Sequence, residues 1–388
     1  MAKANEQLEL TVLIPCLNEA ETVGLCVRKA RESLERLGVS GEVLVADNGS
    51  EDDSARLAAA AGARVIHVPE RGYGSALLAG IEAARGRFIL MADADDSYDL
   101  ENIEPFLAKL REGFDLVQGC RLPAGGGRVE RGAMPFLHRW VGNPLFTRLA
   151  RWWFGTPVHD TNCGMRAFRR DFIQRLELRC TGMEFANEML IKAALHKGRV
   201  AEVPVVLRPD ARQTRASHLR TFRDGWRTLR FYLLYSPRWL FLAPGLALTA
   251  LGAAGMGAAL LRPGWPDPLG GYGLLLSMLA VLMGYQSVLF ALLTKAFAVN
   301  EGLLPMDRKT ERFFQIMTLE RGLALGALGL GAGAAVLAGQ WLSLADRPGP
   351  LSVGEFLRLG APGAALCALG FQTILFSFFA SLLGMRRR

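Results

Sequence analysis

The chain has no Cys-x-x-Cys pair, no Gly-x-x-x-x-Gly-Lys-Ser/Thr loop and, in four long runs, no charged residue. Each absence closes a class of function. The six cysteines, at positions 16, 26, 120, 163, 180 and 367, are scattered, which argues against a zinc ribbon, a redox dithiol and a disulfide framework. They suit reduced thiols on a cytosolic face. Without the phosphate loop, a P-loop kinase is not expected. Gly72 and Gly74 form a glycine loop, but position 77 is leucine and the loop follows a third strand rather than a first. A dinucleotide-binding dehydrogenase is therefore not expected. Residues 1–9 are polar and carry acids, unlike a secretory signal, so the first part of the chain is expected to stay in the cytoplasm.

Residues 239–261, 269–294, 322–345 and 359–385 contain no Asp, Glu, Lys or Arg. Each run exceeds the roughly 20 residues that cross a hydrocarbon core. The mean hydropathy of the chain is +0.19, high for a soluble enzyme. Buried helices of a large soluble core are the competing reading, and four successive runs of this length argue against it. The glycine and alanine of 322–333 point to close helix packing. No ionisable residue lies inside a run, so a transport path is not indicated.

The net charge of +8 sits mainly beside these runs. Arg220, Arg223, Arg227, Arg230 and Arg238 precede the first; Lys295, Arg308, Lys309, Arg312 and Arg321 separate the second from the third; Arg386, Arg387 and Arg388 follow the fourth. The other two loops hold only Arg262, and Arg347 with Arg358. With four spans the three rich segments share one side, expected to be cytoplasmic. This placement favours lipid and phosphorylated substrates over nucleic acid. In the connector, Leu219, Phe222, Trp226, Leu229 and Leu233 recur at helical spacing, with arginines one position on. Such a helix either lies in the headgroup plane or packs its stripe on the domain; the adjacent span favours the membrane. The expected division is a cytoplasmic domain over 1–218, a juxtamembrane amphipathic helix over 219–238 and a four-helix membrane domain over 239–388.

The first part alternates between strand and helix patterns. Strands are expected over 10–14, 42–46, 63–68 and 87–92, with helices over about 19–37, 53–61 and 76–84. This order predicts a parallel, doubly wound α/β sheet, in which ligands bind at the carboxyl ends of the strands. Asn18, Asp47 and Asp93 fall at those ends. Asp93 and Asp95 flank one small residue after a buried strand. As hard oxygen donors they suit Mg²⁺ or Mn²⁺ presented to a diphosphate, the plainer alternative being a solvated turn. Asp47 suits either a hydrogen bond from a base N–H or an Asx-turn or helix cap. The loop at Gly74 would let backbone approach a phosphate or sugar.

Ile14-Pro15-Cys16-Leu17-Asn18-Glu19, Asp47-Asn48-Gly49-Ser50-Glu51-Asp52, the Gly72/Gly74 loop and Asp93-Ala94-Asp95 together resemble the family 2 glycosyltransferases of GT-A fold. Residues 160–168 (DTNCGMRAF), residues 182–188 (GMEFANE) and the Arg-x4-Ser-x-Leu spacing from Arg212 to Leu219 are similar to the dolichyl-phosphate mannose/glucose synthase branch. The resemblance covers about residues 8–240. It implies a nucleotide pocket at Pro15, Asn18 and Glu19, with Asp47 on the base, and a metal on Asp93 and Asp95. It also implies acceptor-phosphate contacts at Arg121 and Arg139, and a mobile loop bringing Arg212 and His218 over the phosphates. Glu188 would stand near the acceptor; its plainer reading is a pair with Lys192 at i+4. Arg121 and Arg139 are by default surface arginines. Three positions depart from the family pattern: Asn48 replaces an acid, Ser97 replaces a third metal-side ligand, and His218 replaces a lysine.

The implied activity is inverting transfer of a hexose from a UDP- or GDP-linked donor to an undecaprenyl- or dolichyl-type phosphate. It would occur at the cytoplasmic face of the inner membrane, with association of copies left open. A processive polysaccharide synthase is disfavoured, because neither Arg139-Trp140 nor Arg238-Trp239 has Gln three residues before the arginine. A non-catalytic scaffold or flippase subunit is disfavoured by the presence of Asp47, Asp93, Asp95 and Arg212.

Overall fold

A computed structural model describes residues 8–211, 221–261, 269–345, 349 and 352–384. It divides into two compact units, one ending at Tyr232 and the other beginning at Leu233.

The first unit opens with β1 (Leu10–Cys16), α1 (Val23–Arg36), β2 (Gly41–Asp47), α2 (Ser54–Ala60), β3 (Arg64–His67), α3 (Tyr73–Ala83) and β4 (Phe88–Met91). It continues with α4 (Glu104–Arg111), β5 (Leu116–Cys120), β6 (Arg128–Val129), a π-helical turn (His138–Gly142) and α5 (Asn143–Phe154). Then follow β7 (Arg166–Arg169), α6 (Arg170–Arg175), α7 (Phe185–Leu195), β8 (Val200–Pro204), β9 (Val206–Leu207) and α8 (Thr221–Leu234).

The uninterrupted apolar runs in the sequence belong to strands buried on both faces. In β1, Leu10, Val12 and Ile14 join one core cluster and Leu13 the other. In β4, Phe88 and Leu90 face the first while Ile89 and Met91 face the second. The main sheet has the order β3-β2-β1-β4-β7-β5-β8. From β1 the chain winds outward to β3, then returns through α3 to β4 on the other side of β1. The order therefore reverses between β1 and β4, and the carboxyl ends of strands at such a reversal are where ligands bind in sheets of this kind.

The first four strands are parallel, as expected, but the whole sheet is mixed. β7 runs antiparallel to both β4 and β5, with Met91 opposite Arg166 and Phe88 opposite Arg169. The reason is the point of entry: the segment before β7 lies at the carboxyl end of β4, so the strand can only run back down the sheet. The helix after β1 also starts later than its pattern suggests. The N–H groups of Asn18, Glu19 and Ala20 donate to Ser50, Ser54 and Asp52 side chains instead of opening a helical turn.

The second unit contains α9 (Ala243–Leu261), α10 (Leu269–Asn300), α11 (Arg308–Ile316), α12 (Leu319–Ala345) and α13 (Val353–Gly384). Among the described residues, Arg238–Leu261, Gly271–Asn300, Leu319–Leu344 and Gly354–Gly384 are long and apolar enough to cross a membrane. The last helix begins before the charge-free run, because its first turns carry Glu355 and Arg358. Glycine sets the spacing of these helices. A β-carbon at Gly252 would strike the Ser277–Val281 segment of α10, and one at Gly370 would strike the backbone of α12 at Gly326 and Leu330. Tyr285 and Thr373 hydroxyls meet at 2.6 Å between α10 and α13.

Gly370→Leu should therefore force α12 and α13 apart, an overpacking cost of about 1–3 kcal/mol. Thermal unfolding of the detergent-purified protein checks this: a midpoint lowered by several degrees is expected, and an unchanged midpoint contradicts the contact.

Candidate active site

Asp93 lies two residues beyond β4, at the reversal point of the sheet. Tyr73, in the first turn of α3, donates its hydroxyl to Asp93 Oδ1 at 3.0 Å. The other oxygen, Oδ2, lies against Gly164, where a methyl group would overlap it. Gly164 is held by its N–H, which donates to the Tyr98 hydroxyl at 2.8 Å. The carboxylate is thus fixed on both sides. Asp95 Oδ1 accepts from the Ser97 N–H at 3.1 Å. Asp96, with a left-handed backbone, takes no part in this pair, because Lys29 holds both of its oxygens at 2.7 and 2.8 Å. Burial, followed by the charge of Asp95, pushes the Asp93 carboxyl up to about 6. The Tyr73 hydrogen bond and the charges of Arg121 and Arg166 act against that rise.

The loops after β1, β2 and β3 are laced together beside this pair. Asn18 Oδ1 accepts from the Glu51 N–H at 2.7 Å, and Asn18 itself has a positive φ of 59°. Asp47 is buried; Oδ1 accepts from the Ser50 N–H at 3.3 Å and Oδ2 lies 3.2 Å from His67 Nδ1. Pro15 is buried within β1, opposite Ala46. Asn48, the departure from an acid, has a physical reason here. Its Nδ2 donates to the carbonyls of Val68 and Glu70, and its Oδ1 accepts from the Gly72 N–H at 2.7 Å. A carboxylate at 48 would oppose two carbonyl oxygens.

Three expected site elements make close contacts within the protein. Arg121 was expected at the acceptor phosphate. Its Nε and Nη2 meet the two Asp160 oxygens at 2.7 and 2.9 Å, and its side chain is only 10% exposed. Its fork braces the segment that carries Gly164. Glu188 was expected near the acceptor, yet it is fully buried and pairs with Lys192 at 3.0 Å. It also accepts from the N–H groups of Arg179 and Cys180 at 2.9 and 2.8 Å. Burial alone would raise its pKa; the Cys180 N–H and the Lys192 charge outweigh that and hold it below the usual range. The glycine loop makes its close approach to protein. β-Carbons at Gly72 and Gly74 would collide with the carbonyls of Thr181 and Cys180, and Ser75 N–H donates to Thr181 O at 3.2 Å. Glu188 thus fixes residues 179–181, which seat the loop that carries Tyr73.

Arg139 stands in the π-helical turn, its guanidinium 5.2 Å from the Trp140 ring centroid. Arg212 and His218 lie outside the described residues. Just before them, Arg208 N–H donates to Ser97 O at 2.9 Å and Ala211 N–H donates to Asp95 O at 3.2 Å.

Residues 11–177 match the family model described as Glycosyl transferase family 2, and residues 292–384 match the Glycosyltransferase family 2 C-terminal transmembrane region. The chain is 35% identical over 387 residues to the low-salt glycan biosynthesis hexosyltransferase Agl6 of Haloferax volcanii, covering 97% of this chain and 89% of that one. This chain belongs to glycosyl transferase family 2. The same organism's dolichyl-phosphate hexose transferase is 34% identical over 208 residues, covering 53% of this chain and 86% of the relative. Glucosyl-3-phosphoglycerate synthase of Mycobacterium tuberculosis, crystallised with Mn²⁺, UDP and glucosyl-3-phosphoglycerate, aligns at 24% identity and a TM-score of 0.43, over 58% of this chain and 78% of that one.

The glycosyltransferase domain has the GT-A-like mixed sheet, and the family 2 region ends in helices of membrane-spanning length, as in a multi-pass membrane protein. The carboxylate pair fits a divalent cation. Two hard-oxygen donors one residue apart flank the reversal point, and Asp93 is destabilised as an anion by burial and then by the charge of Asp95. Among the described residues no group of three or more His, Cys, Asp or Glu completes a protein cage. Tyr73, Gly164 and Arg166 were not singled out from sequence. Arg166 is fully buried, donating to the carbonyls of Ala186, Thr161 and Cys163, and only its charge reaches Asp93.

Gly164→Ala should displace the Asp93 carboxylate and lower kcat at least tenfold, in protein that remains folded at the assay temperature. Normal turnover would show that the carboxylate tolerates movement. Lys192→Met should leave Glu188 buried and unpaired at a cost of about 3–5 kcal/mol, with Glu188→Gln/Lys192→Met recovering part of it. Denaturant titration reads both; a Glu188→Gln variant that keeps full stability but loses turnover would return Glu188 to the acceptor.

Proposed function

We propose that this glycosyltransferase moves a hexose from a UDP- or GDP-linked donor to a polyprenyl phosphate, with inversion, at the cytoplasmic face of the inner membrane. One observation carries the reading. A family 2 catalytic domain with its carboxylate pair at the sheet reversal is followed in one chain by an arginine-bearing amphipathic helix, α8, and then by membrane-length helices. A lipid-linked phosphate is the substrate such a chain is suited to meet. The name of the dolichyl-phosphate hexose transferase relative supports this acceptor class.

In this mechanism Asp47 and the clamped loops of Pro15, Asn18 and Glu19 receive the nucleotide. Asp93 and Asp95 would hold Mg²⁺ or Mn²⁺, which when bound supplies charge neutralisation for the departing diphosphate. Tyr73 and Gly164 keep Asp93 in one orientation. Arg121, Arg139, Arg212 and His218 are the side chains proposed to reach phosphate oxygens; Asp160 takes only the Nε–Nη2 edge of Arg121 and orients its guanidinium. The acceptor oxygen attacks the anomeric carbon opposite the leaving diphosphate. A phosphate monoester has its second pKa at about 6, so it arrives as an anion and requires no general base. The burial of Glu188 agrees with that. Catalysis then rests on positioning and charge stabilisation.

Asp93→Ala and Asp95→Ala should each lower transfer from radiolabelled nucleotide-sugars to polyprenyl phosphate by about a hundredfold or more, as should EDTA. The folded variants and a metal add-back serve as controls. Near-normal transfer by either variant would contradict the assignment.

A further inference from the structure

Positions 93–96 carry three acids, Asp93, Asp95 and Asp96. Two carboxylates balance the charge of a divalent cation, and a third is a surplus hard-oxygen donor at the same turn. Asp96 follows Asp95 directly, and both charges reach the thiol of Cys26. Burial and then the Asp96 charge push that thiol up to about 12, with Asp95 adding to the rise. Asp96 also keeps a left-handed φ of 56°, which a residue other than glycine holds only where its surroundings fix it.

The fixing group comes from α1. Lys29 Nζ donates to both Asp96 oxygens, at 2.7 and 2.8 Å, and the two side chains are only 14% and 12% exposed. An ion pair on the surface contributes little, whereas a buried carboxylate left without its partner is strongly destabilising. Cys26, Lys29, Ser33 and Arg36 recur at spacings of three and four, so they share one face of α1. Cys26 Sγ donates to Ala94 O at 3.4 Å, Ser33 Oγ donates to Leu100 O at 2.8 Å, and the Arg36 guanidinium donates to Glu101 O. One helix face thus straps the chain from 94 to 101. Three of its four contacts go to main-chain carbonyls and brace the segment; Lys29 adds a charge. We propose that Lys29 is a positioning residue for glycosyl transfer, sequestering the Asp96 carboxylate so that the cation meets Asp93 and Asp95 and no third acid. With Asp96 matched by Lys29, coordination positions stay open for the donor diphosphate and water. A freed Asp96 would bind the cation more tightly and fill one of those positions. Loss of Lys29 therefore strengthens metal binding while it slows transfer, a combination that a loosened fold does not produce. The inference rests on the cation site proposed above.

The test uses the full chain in detergent. Mn²⁺ alone is the binding probe, read by loss of the free-ion EPR signal, and transfer to polyprenyl phosphate is measured at saturating Mn²⁺. Lys29→Met should tighten Mn²⁺ binding by about threefold or more, because ligand charge sets affinity. It should lower kcat by about tenfold or more. Lys29→Met/Asp96→Asn removes the surplus acid and the unpaired buried charge together. It should bring kcat to within about threefold of the unsubstituted protein and return Mn²⁺ affinity to its original value. This double variant keeps the test decisive if Lys29→Met does not fold. Unchanged kcat and Mn²⁺ affinity in folded Lys29→Met would overturn the proposal. So would a folded double variant that stays about tenfold slow, which would make the lysine a brace rather than a guard. No Mn²⁺ binding by the unsubstituted protein would overturn the cation site as well. Normal Mn²⁺ dependence with an unaffected Lys29→Met would overturn this inference alone.

Discussion

Burial of the Asp93 carboxylate, with the charge of Asp95 added to it, is the constraint that the surrounding side chains answer. Two carboxylates one residue apart at the end of a buried strand separate or take up a proton unless the surroundings oppose it. Here the surroundings do. Tyr73 donates to one oxygen of Asp93, Gly164 packs without a side chain against the other, and the buried charges of Arg121 and Arg166 lower the cost of ionisation. Each arginine is itself anchored, Arg121 on Asp160 and Arg166 on main-chain carbonyls. The repulsion is restrained but not cancelled, which leaves a site suited to a divalent cation.

The topology brings these groups together. Reversed strand β7 brings residues 160–166 to the carboxyl end of β4, so that Asp160, Gly164 and Arg166 arrive as one segment. On the far side, the Glu188–Lys192 pair fixes residues 177–181, against which the Gly72–Ser75 turn is seated. A buried ion pair contributes little net stability when its partners are well solvated in the unfolded chain. Its effect here is geometric: it sets the loop that sets Tyr73.

Much of this was legible in the sequence, and the reasons differ by element. The membrane-length helices were visible because absence of charge over 20 or more residues has few other causes. The Asp93–Asp95 pair was visible because an apolar strand pattern stops there. What escaped were contacts between positions far apart in the chain. Nothing near Arg121 announces Asp160, 39 residues on, so motif order suggested a free phosphate ligand. The i+4 spacing of Glu188 and Lys192 suggested their pairing, but spacing carries no information about burial, which the structure shows to be complete. The direction of β7 was hidden too, since four residues of strand pattern do not say from which end the chain enters.

The central claim is that one hexose joins one lipid phosphate. It is tested most directly by the mass of the product formed from polyprenyl phosphate and the accepted nucleotide-sugar. The account predicts a lipid heavier by a single hexosyl group, a phosphodiester with no added phosphorus, that does not grow with time. A pyrophosphate-linked lipid, a chain of several sugars, or sugar released only to water would contradict it.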